Sequence, residues 1–203
     1  GTYEGEYIKE LGERFKSMFG ELDEKIDFGP LDEDKDIRLD TISVYFKSKF
    51  SVAWQEAKKF SVSQILSLIK EDLHKFNIVH EHWFNESSLG TVEDNKSDLS
   101  KSLIAIKDGG YTYSKDGAEW FKTTEFGDDK DRVLLRENKE PTYYLTDVGY
   151  HKNKIDRNFD SYINIFGADH HGYIPRLTAA FDVMKKEHQN LEFLLYQLVN
   201  LYE

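Results

Sequence analysis

The sequence predicts an α/β protein, a mixed α+β middle leading into half of a doubly wound fold. Two patterns carry this prediction. Beyond residue 148 the hydrophobic pattern reads helix, strand, turn, helix, strand, the alternation of a parallel sheet with crossover helices. Between Ile78 and about Leu145 it breaks into short apolar segments punctuated by Gly and Asp. With 203 residues, 39% hydrophobic and 14% aromatic, the chain has enough apolar surface to bury a core.

Taken in order, Tyr7, Ile8, Leu11, Phe15, Met18 and Phe19 recur at helical spacing and predict an amphipathic helix over residues 3 to 20. Residues 21 to 40 are acidic and read as irregular, with Gly29-Pro30 as a break. A second helix is expected after Ser61 or Ser63, with Val62, Ile65, Leu66, Ile69, Leu73 and Phe76 as its stripe. Strands are expected at Leu103 to Ile106, Tyr111 to Tyr113, Arg132 to Leu135 and Thr142 to Leu145, with turns at Asp108-Gly109-Gly110 and Lys115-Asp116-Gly117. Val148 to Arg157 reads as a helix, Tyr162 to Phe166 as a short buried strand and Gly167 to Gly172 as a turn. A helix over Tyr173 to Lys186 and a strand over Leu191 to Val199 complete the pattern.

The charge balance narrows the partners. Acids outnumber bases 38 to 27, for a net charge of -11, and no Lys/Arg-rich run tracks a phosphate backbone. If the protein handles RNA, its main grip is expected outside these residues. No apolar run approaches the roughly twenty residues of a membrane span, so no membrane partner is expected. The acidic start is no secretory signal. With zero cysteines there is no disulfide framework and no thiolate metal site; this fits the cytoplasm, and other compartments equally.

The strand-to-helix turn Gly167 to Gly172 is the best chemical candidate, because open α/β sheets bind ligands beyond the carboxyl ends of their strands. A glycine there lets a ligand approach the backbone, Asp169 offers acceptors for ribose hydroxyls, and His170 and His171 add hydrogen-bonding groups. The plainer reading is a polar loop with Asp169 capping the helix. Asp147, read at a strand end four residues after Tyr143, offers a carboxylate to a cationic ligand; the plainer reading is another helix cap. His80-Glu81-His82 would share ligands on one strand face, but a zinc site needs further ligands. Asp32 to Asp36 imitates the opening of an EF-hand loop, yet Ile37 replaces the turn glycine and Ser43 the bidentate Glu.

Several segments together resemble bacterial arginyl-tRNA synthetases. These are Tyr3-Glu4-Gly5-Glu6-Tyr7-Ile8, then Ile69-Lys70-Glu71-Asp72-Leu73 with Trp83 and Glu86-Ser87-Ser88-Leu89. Phe126 to Leu134, Pro141 to His151 and Phe166 to Tyr173 follow in the family's order and spacing. The last three are long and specific, and the resemblance covers nearly the whole chain.

The resemblance implies a Rossmann-like class I catalytic domain with an α+β insertion. Residues 1–48 would be a helical segment of the catalytic domain, 49–135 the insertion and 136–203 its second α/β segment. It implies an ATP-dependent ligase, with Mg2+ as the usual counter-ion, that activates L-arginine and transfers it to arginine tRNA. Tyr143, Asp147 and His170 would face arginine; Gly167, Asp169 and His171 would face the nucleotide. The implied pairing of Asp147 with a guanidinium agrees with the strength of charge-assisted, forked hydrogen bonds. In some relatives Gln stands at the position of His170. No His-Ile-Gly-His-like or Lys-Met-Ser-Lys-Ser-like element occurs in the sequence, so the chain alone is expected to be inactive, with no catalytic residue of its own. Two rivals are a stand-alone arginine- or adenylate-binding module and a non-catalytic interaction domain. Retention of Tyr143, Asp147, Gly167 and Asp169 together disfavours the second.

Overall fold

The computed structural model describes residues 5–20 and 26–200. Tyr3 and Glu4 of the first predicted helix, residues 21–25 of the acidic stretch and residues 201–203 lie outside them. The chain divides into two compact units, one ending at His82 and the other beginning at Trp83. This division does not test the segments 1–48, 49–135 and 136–203 expected from the resemblance.

The first unit contains α1 (Glu6–Phe19), α2 (Lys35–Lys49) and α3 (Ser51–Lys75). The predicted stripe of α1 buries Leu11 and sets Phe15 against Phe19 and Phe60, at ring-centroid distances of 4.5 and 5.6 Å. Two expectations are corrected here. Residues from Lys35 onward are helical, not irregular: Asp34 caps α2 by accepting from the Ile37 amide at 3.1 Å. The EF-hand-like acidic stretch therefore contributes a helix start. The second correction concerns α3, which begins ten residues before Ser61. Ser63 is not a cap, because its hydroxyl donates to the Phe60 carbonyl at 2.8 Å inside the helix. Aromatic contacts hold α2 to α3, with Phe46 stacked on Trp54 at 6.4 Å.

The second unit holds α4 (Asp98–Asp108), β1 (Thr112–Lys115), β2 (Ala118–Phe121), β3 (Arg132–Leu135), α5 (Tyr143–Asp156), β4 (Ser161–Gly167), α6 (Ile174–Met184) and β5 (Asn190–Tyr196). Leu103 to Ile106 is helix, not strand. Ser97 accepts from the Ser100 amide at 3.0 Å and starts α4, and Leu99, Leu103 and Ile106 are buried at helical spacing. Thr142 to Leu145 is likewise no strand. Thr142 is the N-cap of α5, its Oγ1 accepting from the Leu145 amide at 3.3 Å, and Leu145, Val148 and Ile155 follow on the buried face. α4 and α5 pack so closely that a Cβ on Gly149 would lie 3.2 Å from Leu99 Cδ1.

β1, β2 and β3 form an antiparallel sheet in that order, with Tyr113 opposite Trp120. β2 was not anticipated; it completes the hairpin around the predicted Asp116-Gly117 turn. Before β3, Gly127 takes a left-handed backbone (φ +89°) that favours glycine. Arg132 then donates to both carboxylate oxygens of the buried Asp128 at 2.8 Å, and also to Asp129. Burial opposes the charge of Asp128, yet Arg132 and the Asp129 amide hold its pKa down at about 2.

β4, α6 and β5 make the predicted parallel crossover unit, with Ser161 opposite Asn190 through Gly167 opposite Tyr196. β4 is covered on one face only: Tyr162 and Asn164 are buried, whereas Ile163 and Ile165 are exposed. Leu89, Leu99, Ile106, Phe121, Leu134, Leu145, Val148 and Leu177 form one core, and Ile155, Tyr162 and Phe181 a smaller one beneath α6.

Candidate functional site

The strand β4 ends at Gly167 and passes directly into a 3-10 turn, Ala168–Tyr173, before α6. The predicted turn is therefore helical. Gly167 has an ordinary extended backbone (φ -64°), so torsional freedom does not require glycine there. What a side chain would meet is the Asp169 carboxylate: a Cβ would lie 2.5 Å from its Oδ1, the mobile end of an exposed side chain that would have to move aside. Asp169 thus folds back over the strand end while its side chain stays 82% exposed. His170 faces it at 3.6 Å and lies beside the rings of Phe166 and Tyr173. His171 contacts the Ala168 carbonyl through Nδ1 at 3.2 Å.

Tyr162 meets the Ile155 carbonyl while Asn164 meets Lys154 and His151, so α5 runs back along β4 and its first turns lie toward the strand end that carries Gly167. Tyr143, at its first position, is 79% exposed. Asp147 lies one turn further in and is half-buried, inside the helix and not at a strand end or a cap. Residues four apart share a face in a helix as they do in a strand, so the pairing of Tyr143 with Asp147 survives the change of element. Burial, and then the nearby charge of Glu86, push the Asp147 carboxyl above its ordinary range; Lys154, Arg176 and Tyr173 oppose this. Such a carboxylate lacks a full counter-charge. A planar cation placed against it would supply one.

Around Asp147 stand groups for which the sequence reading assigned no role. The Arg176 guanidinium covers the Tyr173 ring at 4.3 Å, and the Arg176 carbonyl accepts from Tyr144 at 2.6 Å. The Arg176 Nε is buried without a partner among the described residues. Beneath Asp147, His151 and Asn164 are buried and Lys154 is partly so. One signal was available: Asp147, His151 and Lys154 recur at i, i+4 and i+7, a polar stripe on a helix face. Reading the segment's start as a strand hid it.

Among the described residues no three His, Asp or Glu side chains gather as a metal site. His80, Glu81 and His82 are exposed in an irregular segment, not aligned on a strand.

Comparison with known proteins gives the wider frame. No protein-family model matches the chain. An arginine–tRNA ligase from Aquifex aeolicus is 38% identical over 204 residues, covering 98% of this chain and 34% of its own length. One from Oceanobacillus iheyensis is 46% identical over 149 residues, covering 72% of this chain and 26% of its own length. A crystal structure of an arginyl-tRNA synthetase from Campylobacter jejuni superposes with a TM-score of 0.71 at 31% identity, covering 98% of this chain and 37% of that one.

The chain belongs to the arginyl-tRNA synthetase family.

It spans about a quarter to a third of the length of the curated relatives it matches. The arginyl-tRNA synthetase from Thermus thermophilus shares the fold at a TM-score of 0.58 and 14% identity, over 80% of the chain. The mixed α/β architecture thus matches solved members of the arginyl-tRNA synthetase family.

Proposed function

We propose that this chain forms the arginine-facing and part of the adenylate-facing side of an arginine–tRNA ligase. In this reading the parallel unit β4-α6-β5 belongs to a Rossmann-like class I catalytic domain, residues 1–48 and 136–203 are its segments, and residues 49–135 are an insertion. The observation that carries the reading is the convergence of two different chemistries at one end of β4. Asp147 brings a half-buried, under-compensated carboxyl on α5, and Gly167 with Asp169 brings an open strand end and exposed acceptors.

A guanidinium satisfies Asp147 with two parallel hydrogen bonds. In this reading Tyr143 and His170 orient the amino acid. Gly167 allows a nucleotide to approach the backbone, Asp169 accepts from ribose hydroxyls, and His171 steadies the turn through its contact with Ala168. ATP enters with Mg2+ on its phosphates, as a substrate complex and not as a resident ion. The acidic charge of this chain directs the principal tRNA contacts elsewhere in the protein. The reaction belongs to the cytoplasm, where translation consumes its product. By itself the chain forms no arginyl-adenylate, because adenylate formation demands positioned positive charge at the phosphates.

Steady-state aminoacylation by a full-length protein carrying this sequence tests the assignment. Asp147→Asn should weaken arginine use by about 1.5–3 kcal/mol, the range for hydrogen bonds to a charged group. Unchanged arginine kinetics would remove Asp147 from the site.

A further inference from the structure

Beneath the proposed site lies a hydrogen-bonded chain whose direction the chemistry dictates. Lys154 Nζ donates to Asn164 Oδ1 at 2.8 Å. An ammonium has no acceptor, so the Asn164 oxygen faces Lys154 and its amide nitrogen faces His151. Asn164 Nδ2 lies 2.8 Å from His151 Nε2, which must accept. His151 is therefore the neutral Nδ1–H tautomer, and Nδ1 donates to the Asp147 carbonyl at 2.8 Å. His151 and Asn164 are each 4% exposed. Lys154 is braced from the other side by the Tyr150 ring, 4.3 Å from its ammonium.

The three side chains link two elements with separate tasks. His151 and Lys154 belong to α5, which carries Tyr143 and Asp147. Asn164 sits in β4, three residues before Gly167. A buried amide in the middle of a parallel strand interrupts an otherwise apolar inward face, at a cost unless its hydrogen bonds are met. Here all its partners lie on the helix that carries the proposed arginine carboxylate. A slip of α5 along β4 would break bonds that no other described group replaces.

We propose that the one-way chain from Lys154 through Asn164 and His151 to the Asp147 carbonyl is a positioning device. It locks the arginine-facing turn of α5 to the strand that ends at the nucleotide-facing Gly167–His170 turn. The proposal rests on the reading of Asp147 as the arginine carboxylate. It makes His151, Asn164 and Lys154 positioning residues that touch neither substrate. Their role is to set the separation between the bound arginine carboxylate and the ATP phosphate it attacks. Misplacement on the order of 1 Å in such alignment slows chemistry by about 100-fold without abolishing binding.

The test is ATP–pyrophosphate exchange, with arginine tRNA present, by a full-length protein carrying this sequence. Asn164→Ala should lower kcat by about tenfold or more while the KM values for arginine and ATP each change less than about threefold. Lys154→Arg keeps a donor for Asn164 and should stay near wild type, whereas Lys154→Met should follow Asn164→Ala. The Lys154 pair keeps the test decisive if Asn164→Ala fails to fold. A lower melting temperature with unchanged kcat would overturn the proposal, as would equal behaviour of Lys154→Arg and Lys154→Met. Asp147→Asn separates the two readings. If it loses arginine affinity while Asn164→Ala turns over normally, alignment fails and recognition stands. If Asp147→Asn has wild-type kinetics, recognition fails and takes the alignment proposal with it.

Discussion

Replacing His151 by Gln should flatten the acid side of the stability profile of this chain. His151 is buried, and its desolvation, helped by the positive charge of Lys154, pushes its pKa from 6.5 down to about 4. In the unfolded chain it titrates near its ordinary value. Between those two values the unfolded state binds a proton that the folded state does not, so stability rises with pH. The contribution is fully present above 6.5 and is lost as the pH falls to about 4. At about 1.4 kcal/mol per pH unit, that gap amounts to about 3 kcal/mol for the second unit. Urea unfolding of the 203-residue chain at several pH values, with wild type and His151→Gln compared, isolates this contribution. Asp128 loses its stabilising effect only below its ordinary 3.8, as the pH falls toward about 2, and it cancels in the difference. The variant also loses the contact to Asp147, so the slope against pH is diagnostic and the absolute stability is not. Parallel slopes from pH 6.5 to 4, or a His151 ring proton titrating near 6.5 by NMR, would refute the buried neutral tautomer.

Two further outcomes follow from local geometry. Gly167→Ala leaves the backbone unstrained but must push the Asp169 carboxylate aside; adenylate formation in the full-length protein should fall at unchanged melting temperature, and normal exchange rates would deny the close approach a role. Arg132→Leu strands the carboxylate of Asp128, whose side chain is 2% exposed, and should destabilise the second unit by about 3–5 kcal/mol; a loss below about 1 kcal/mol in urea unfolding would make the pair dispensable.

The parallel half of the fold was legible because its pattern and its topology agree. Leu177, Ala180 and Phe181 mark one face of α6, and a helix between two apolar strands is the usual connection of a parallel pair. The middle was less legible for definite reasons. Leu103 to Ile106 is an apolar run of four, equally at home in a strand or in a helix buried on one side, and only the Ser97 cap decides. Thr142 to Leu145 is β-branched and aromatic, which favours strand locally. The threonine hydroxyl and the burial of Val148 and Ile155 override that preference. α2 escaped notice because Ile37, Ile42, Val44 and Phe46 make no continuous stripe. At the site, Tyr143, Asp147, Gly167 and Asp169 were visible as residue types at suggestive spacings. Glu86, Arg176 and Asn164 were not, since their relation to Asp147 exists only once the 3-10 turn Glu86–Leu89, β4 and α6 are packed around α5.

The proposed recognition of arginine stands most directly on the charge of Asp147, and citrulline isolates that charge. It keeps the shape of arginine and replaces the guanidinium by a neutral urea. The measurement is the ratio of kcat/KM for arginine to that for citrulline in the full-length protein, for wild type and Asp147→Asn. If the Asp147 carboxylate reads the guanidinium, the ratio should collapse by about 10- to 150-fold in the variant, the equivalent of about 1.5–3 kcal/mol. An unchanged ratio would show that another group distinguishes arginine and that the half-buried carboxylate serves only the fold.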